Sequence, residues 1–180
     1  MNFVGRPDKA CSTDRFKRNM QHIFIHENNM IATDGNILVS IPLQESELIG
    51  NTQLLNGFYI NPRQYREILS YDIAEVVGEG ELLCHRLDIG YKTRFILTPE
   101  SAIGKFPNYK SVTEYKYSEE TPVIGVSYKI LQKLLSCFDG LTTTGHFKMM
   151  LQQINKSIHF RSTKNENVFG FIMPINLDIE

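Results

Sequence analysis

The side chains best suited to chemistry are scattered along this sequence, and their spacing assembles no catalytic constellation. His22 and His26 lie four residues apart, but in a segment read as strand, where that spacing spreads two imidazoles along the chain instead of gathering them around an ion. Cys11, Cys84 and Cys137 are far apart, and no cysteine pair has zinc-ligand spacing. Cys84 and His85 are neighbours in a predicted strand, so their side chains point to opposite faces and do not meet as nucleophile and base. Gly78-Glu79-Gly80 lacks the Gly-Lys-Ser/Thr and the following helix of a phosphate loop. No Gly-x-Ser-x-Gly elbow occurs, and Asp34 has no second carboxylate placed for acid–base work. The pattern predicts a protein that is not an enzyme, with no metal site and no cofactor.

Basic residues are more informative. Arg63 and Arg66 are three apart on one predicted helix, and Lys129 and Lys133 are four apart on another. Either spacing puts both charges on one helix face. Such faces are simply solvated, or they meet phosphates through sequence-independent charge. The chain carries 19 Lys and Arg against 20 Asp and Glu, a net charge of −1. Any nucleic-acid contact must therefore come from a local basic face.

The elements that would position these residues follow from periodicity and punctuation. Residues 1–19 are polar and basic, with Arg6-Pro7, Asp14-Arg15 and Lys17-Arg18, and read as an irregular, solvated arm. Strands are expected at 20–26, 30–33 and 37–43, the first two joined by a turn at Glu27-Asn28-Asn29. Between the second and third lies Ala32-Thr33-Asp34-Gly35-Asn36, where Asp and Gly suit a tight turn. Residues 44–56 form a polar connection. Asn61-Pro62-Arg63-Gln64 is a helix start: Asn caps, Pro suits the first position, and Gln64 completes a capping box. That helix ends near Ser70, and strands follow at 73–77, 81–87 and 93–97.

The second half repeats this order. A strand at 121–126 leads to a helix at 128–138, capped by Ser127 and stopped by Asp139-Gly140, with Ile130, Leu131, Leu134, Leu135 and Phe138 on its buried face. Strands at 145–154, 157–161 and 168–174 close the chain. Strands in runs with lone helices between them predict an α+β fold with mostly antiparallel sheets and two helices on one face. The expected division is an arm at 1–19 and one domain at 20–180, built of units 20–112 and 113–180.

Length and composition agree with that. A chain of 180 residues with 42% apolar and 22% charged residues can bury a core without staples. Three separated cysteines argue for reduced thiols, and no apolar run approaches the roughly 18 residues of a membrane span, so a soluble cytoplasmic protein is expected.

Three motifs, taken together, carry a resemblance. Ala32-Thr33-Asp34-Gly35 followed by Leu38 resembles the ATDGxRL segment of the bacterial sliding clamp family, the β subunit of DNA polymerase III. Gly104-Lys105-Phe106-Pro107-Asn108-Tyr109 and Val112 resemble that family's GKFPDYxxV, and Phe171-Ile172-Met173-Pro174-Ile175 is similar to its closing VMPM. Ser12-Thr13-Asp14-Arg15 also echoes a family pattern. Full-length clamps carry three domains per chain. This chain resembles the later half of one clamp domain joined to the closing half of the next, and no helix precedes the first strand. The two halves are expected to pair into about one clamp-type domain, with the first three strands added to its sheet.

The resemblance implies a pocket for short linear peptides of polymerase and repair partners. Matched residue by residue, it is lined by Thr33, Gly35 and Leu38, by Pro107 and Val112, and by Phe171, Met173, Pro174 and Ile175. These apolar side chains and prolines suit an adaptable groove for an extended peptide. A departure is Asn36-Ile37, where the family has a polar and basic pair. The resemblance also implies that Arg63, Arg66, Lys129 and Lys133 face duplex DNA without reading bases. Four phosphate contacts give a salt slope of roughly −3 to −4, and weak binding per protomer. The expected function is a non-catalytic, DNA-associated docking protein that binds short linear peptides of replication or repair partners, with a homo-oligomer among its expected assemblies. The alternative is a monomeric peptide-binding adaptor or decoy that does not encircle DNA.

Overall fold

The computed structural model describes residues 3–110, 125–138, 147–151 and 156–175. The strands are β1 (Ile23–His26), β2 (Asn29–Thr33), β3 (Ile37–Pro42), β4 (Phe58–Ile60), β5 (Ile73–Gly78), β6 (Glu81–Arg86), β7 (Tyr91–Ile96), β8 (Thr98–Pro99), β9 (Phe147–Met150), β10 (Ile158–Ser162) and β11 (Phe169–Ile172). Among the described residues the helices are α1 (Pro62–Ile68), α2 (Glu100–Ile103) and α3 (Tyr128–Cys137). Eight strands form one antiparallel sheet in the order β8-β4-β1-β2-β3-β11-β10-β9, and β5-β6-β7 form a second. The expected α+β architecture with mostly antiparallel sheets holds.

Register sorts the large sheet into two apolar faces. Ile25 lies opposite Met30, and Ala32, Val39, Gly170 and Phe160 follow one another across β2, β3, β11 and β10. This face carries the main core, which also takes Tyr65 and Ile68 of α1 and Leu134 and Cys137 of α3. On the opposite face Phe24, Ile31, Leu38, Tyr59 and Phe171 collect in a second cluster with Phe106. Strand β3 is buried along its whole length because both faces are covered.

Local chemistry sets the helices. The Asn61 side chain accepts from the Arg63 amide (2.9 Å), and Pro62 opens α1. Gln64 does not close a capping box; its amide donates to the Ile96 carbonyl (3.0 Å), tying α1 to the small sheet. On α3 the buried stripe is rotated from the expected one: Leu135 is 38% exposed, and Cys137 takes an inward place beside Leu134. Gly170 explains the close docking, since a Cβ there would lie 2.7 Å from Leu134 Cδ1 and 2.8 Å from the Leu38 carbonyl.

The N-terminal segment departs from expectation. Residues 3–11, read as part of a solvated arm, are packed into the core as a wedge between α1 and α3. Phe3 is buried against Tyr65 (ring centroids 5.3 Å apart), and a 3-10 turn at Pro7–Ala10 contacts both helices. The Arg6 amide caps the Cys137 carbonyl (2.8 Å), Lys9 Nζ donates to the Ser136 carbonyl (3.2 Å), and buried Asp8 accepts from Arg6 (2.9 Å) and Arg66 (3.3 Å). A few apolar residues scattered among charges carry no periodicity, so the burial does not show in the sequence. Strand β4 was likewise not expected, being only three residues long. The expected strand at 121–126 and the Asp139-Gly140 stop fall mostly or wholly outside the described residues; Gly125 forms a bridge to Ile175.

Candidate functional site

The turn between β2 and β3 is held by its own side chains. Thr33 Oγ1 donates to the Ile37 carbonyl (2.6 Å) and accepts from the Gly35 amide (3.1 Å). Asp34 Oδ1 accepts from the amides of Asn36 (2.9 Å) and Ile37 (3.1 Å). Gly35 has φ +95°, a conformation that strains any side-chain-bearing residue. Two cations from other parts of the chain grip the turn. Lys133 Nζ pairs with Asp34 Oδ2 at 2.5 Å, and Lys17 Nζ donates to the Asp34 carbonyl (3.3 Å). Burial alone would raise the Asp34 carboxyl, but the Lys133 bond and the two amides outweigh it and hold it below the ordinary carboxylate range.

The other two motifs come to the same side of the sheet. Gly104, at φ +112°, ends α2, and its carbonyl accepts from the Tyr59 hydroxyl (2.8 Å). The chain then drops Phe106 onto Phe24 (ring centroids 5.2 Å apart) and Tyr59 (6.3 Å), and the Phe106 amide donates to Glu100 Oε1 (3.1 Å). Leu38 pairs with Phe171 across β3 and β11, and the Met173 amide donates to the Asn36 carbonyl (3.1 Å).

The nine residues expected to line a pocket therefore separate by depth. Thr33, Leu38 (5% exposed) and Phe171 (4%) are buried in the folded chain. Met173 (43%) and Ile175 (45%) are open to solvent, Gly35 is exposed, and Pro107 and Pro174 are half-buried. Val112 lies outside the described residues. Sequence reasoning missed Phe24, Tyr59 and Phe106, the aromatic residues that pack with Leu38 and Phe171 in this buried cluster. For Phe106 the signal was present, a lone aromatic between Lys105 and Pro107; for Phe24 and Tyr59 only the strand register brings them in.

The four expected DNA-facing cations are also unequal. Arg63 and Lys129 are exposed on α1 and α3. Arg66 is paired with Asp8 and Lys133 with Asp34, so each has an internal carboxylate competing with any phosphate.

His159 and Ser157 are buried polar groups near this face, and the thiols of Cys11 and Cys84 lie in the main core. His159 lies on the Phe171 ring (4.8 Å) with Nε2 at 3.0 Å from Ser157 Oγ; burial, with a smaller push from Arg161, drives its pKa down to about 4. His159 and Ser157 are both buried, so the pair offers no substrate access. Burial pushes the Cys84 thiol up to about 12, and Cys11 further. Among the described residues no group of three or more His, Cys, Asp and Glu is placed to hold a metal ion. No helix among them is long and apolar enough to cross a membrane. A groove of about 570 Å³ lies further along the same sheet, floored by Ser40 and Phe169 and walled by Glu27, Lys110, Arg161 and Glu166.

No family model matches the sequence, and no curated protein matches it. The fold is another matter. The β sliding clamp of C. crescentus, whose structure has PEG bound to a putative β-motif tethering region, superimposes with a TM-score of 0.63 at 12% identity over 96% of this chain and 62% of that one. The sliding clamp of Bartonella birtlesii bound to griselimycin gives 0.61 at 15% identity, over 93% of this chain and 61% of that one. The Bacillus subtilis clamp gives 0.58 at 12% identity, over 93% and 60%. The chain thus has the fold of bacterial DNA polymerase III β sliding clamps, and it spans about 60% of the length of the clamps it matches.

Proposed function

We propose that the chain is a non-catalytic, clamp-like docking protein of DNA replication or repair. It takes short linear peptides of its partners at the rim formed by Gly35, Pro107, Met173, Pro174 and Ile175, above the floor of Thr33, Leu38 and Phe171. Val112 is assigned to the same site from the resemblance. The observation that carries this reading is the meeting of three sequence-distant motifs on one sheet face, with exposed Met173 beside the Asn36 carbonyl. An exposed methionine between prolines and a glycine turn suits an extended apolar peptide that varies from partner to partner. Griselimycin binding by the Bartonella clamp supports a ligand site on this fold.

In the same proposal duplex DNA lies against α1 and α3, held without base readout by Arg63 and Lys129 and, where they leave their carboxylates, Arg66 and Lys133. Contact through so few charges is weak for one protomer, so useful residence on DNA requires several copies around the duplex. The internal pairing of Arg66 and Lys133 favours a second reading, a monomeric peptide-binding adaptor that does not encircle DNA.

Light scattering at several concentrations, with and without duplex, separates the two. A ring-sized oligomer on duplex supports the clamp, whereas a persistent monomer that binds clamp-motif peptide and ignores DNA supports the adaptor. A protein that binds neither ligand overturns both.

A further inference from the structure

We infer that the Asp34–Lys133 ion pair couples the helix face to the peptide rim, so that phosphate contact at α3 and peptide docking oppose each other. The inference rests on the functional reading above and adds a specific link between its two surfaces.

One carboxylate serves both sides. Asp34 Oδ2 holds Lys133 of α3 at 2.5 Å, while Oδ1 accepts from the amides of Asn36 and Ile37 and so shapes the turn. The Asn36 carbonyl in turn accepts from the Met173 amide. A continuous chain of contacts thus runs from a helix cation through the turn to the exposed methionine of the rim. Lys133 is itself accessible, with 33% of its side chain exposed, and lies one helical turn beyond exposed Lys129.

Lys133 therefore has two competing anions. With Asp34 it holds the turn in the conformation described, with the rim formed. Taken by a phosphate, it leaves the Asp34 carboxylate, whose side chain is only 17% exposed, without its ion-pair partner, while Lys17 stays on the Asp34 carbonyl. An uncompensated, partly buried carboxylate moves toward water, and its amide bonds to the turn and the Asn36–Met173 contact move with it. Peptide binds the state with the rim formed and phosphate binds the released state, so each ligand lowers the affinity of the other by the same factor.

The test uses the full chain, a labelled clamp-motif peptide and a short blunt DNA duplex, with each affinity measured alone and with the other ligand saturating. In the unaltered protein each ligand is expected to weaken the other about fivefold, at the low end of typical coupling. Asp34→Asn keeps the Oδ1 acceptor for the turn but gives up the ion pair. It is expected to bind duplex several-fold tighter, with a salt slope steeper by at most about 0.9 because Lys133 already reaches phosphate in part of the unaltered complexes, and to show no coupling. Lys133→Met is expected to lose coupling too, but to bind duplex more weakly. Independent binding of the two ligands, or coupling that survives in Asp34→Asn, overturns the inference and leaves the functional reading standing. Peptide binding without duplex binding overturns the inference and leaves the adaptor reading, and binding of neither ligand overturns the inference and the functional reading together.

Discussion

Leu38 of β3 stands directly opposite Phe171 of β11, and this pair closes the large sheet between the N-terminal meander and the C-terminal strands. It also sits at the centre of the second apolar face, under Phe106 and beside the glycine turn. The sheet is thus sandwiched between a helical core on one side and the proposed docking rim on the other. Changes on the two sides have different expected outcomes.

Met173 separates binding from folding. Its side chain is 43% exposed and its backbone, not its side chain, makes the bond to Asn36. Met173→Ala is expected to weaken clamp-motif peptide about tenfold, the loss of an anchor worth about 1.4 kcal/mol. The melting temperature should stay within a degree or two. Fluorescence anisotropy with parallel thermal melts checks both. Leu38→Ala would be a poorer probe, because removing a buried leucine costs about 2–5 kcal/mol of stability.

Gly170 tests how α3 is seated. Gly170→Ala puts a methyl against Leu134 Cδ1 and the Leu38 carbonyl. Overpacking of this kind costs about 1–3 kcal/mol. Urea denaturation should show a lower midpoint with an unchanged slope. An unchanged midpoint would mean that α3 does not lie this close to the sheet.

His159 predicts an acid limb in stability. Its folded pKa, about 4, lies below the ordinary 6.5, so the unfolded chain binds the proton first. The contribution is fully present above pH 6.5 and is lost as pH falls toward 4, at about 1.4 kcal/mol for each unit across that window. Asp34 is also held low by Lys133, so its contribution is lost at still lower pH, on the acid side of the ordinary carboxylate range. Chemical denaturation at pH 7, 5.5 and 4.5 should show the decline, and His159→Gln should flatten it.

Salt dependence reports how many helix cations reach phosphate. Four free cations would give a slope of roughly −3.6, but with Asp8 and Asp34 competing for Arg66 and Lys133 the expected slope is about −2 to −2.5. Duplex titrations between 50 and 200 mM salt, roughly the range where such slopes are read, distinguish the two.

Local chemistry was the legible part of the sequence. Asn61-Pro62 announces α1 because cap and first-turn preferences act within three residues, and Asp34-Gly35 announces its turn for the same reason. The three strands around that turn follow from short apolar runs bounded by turn residues. Long-range partners were not legible. Lys133 reads as a helix-face cation, and nothing local shows that Asp34 takes it. Phe24 and Tyr59 enter the floor only through strand register, and Asp8 and Phe3 become core only because two helices leave a gap for them. The depth of the candidate site was hidden for the same reason. Motif matching finds Leu38 and Met173 alike, but only packing makes one floor and the other rim.

Peptide docking at the rim is tested most directly by mapping backbone amide shifts while a clamp-motif peptide is titrated into the full chain. The largest changes are expected at Gly35, Asn36, Met173 and Ile175, saturating together, with small changes on α1. Changes centred instead on Ser40, Arg161 and Glu166, or no saturable change at all, would contradict it.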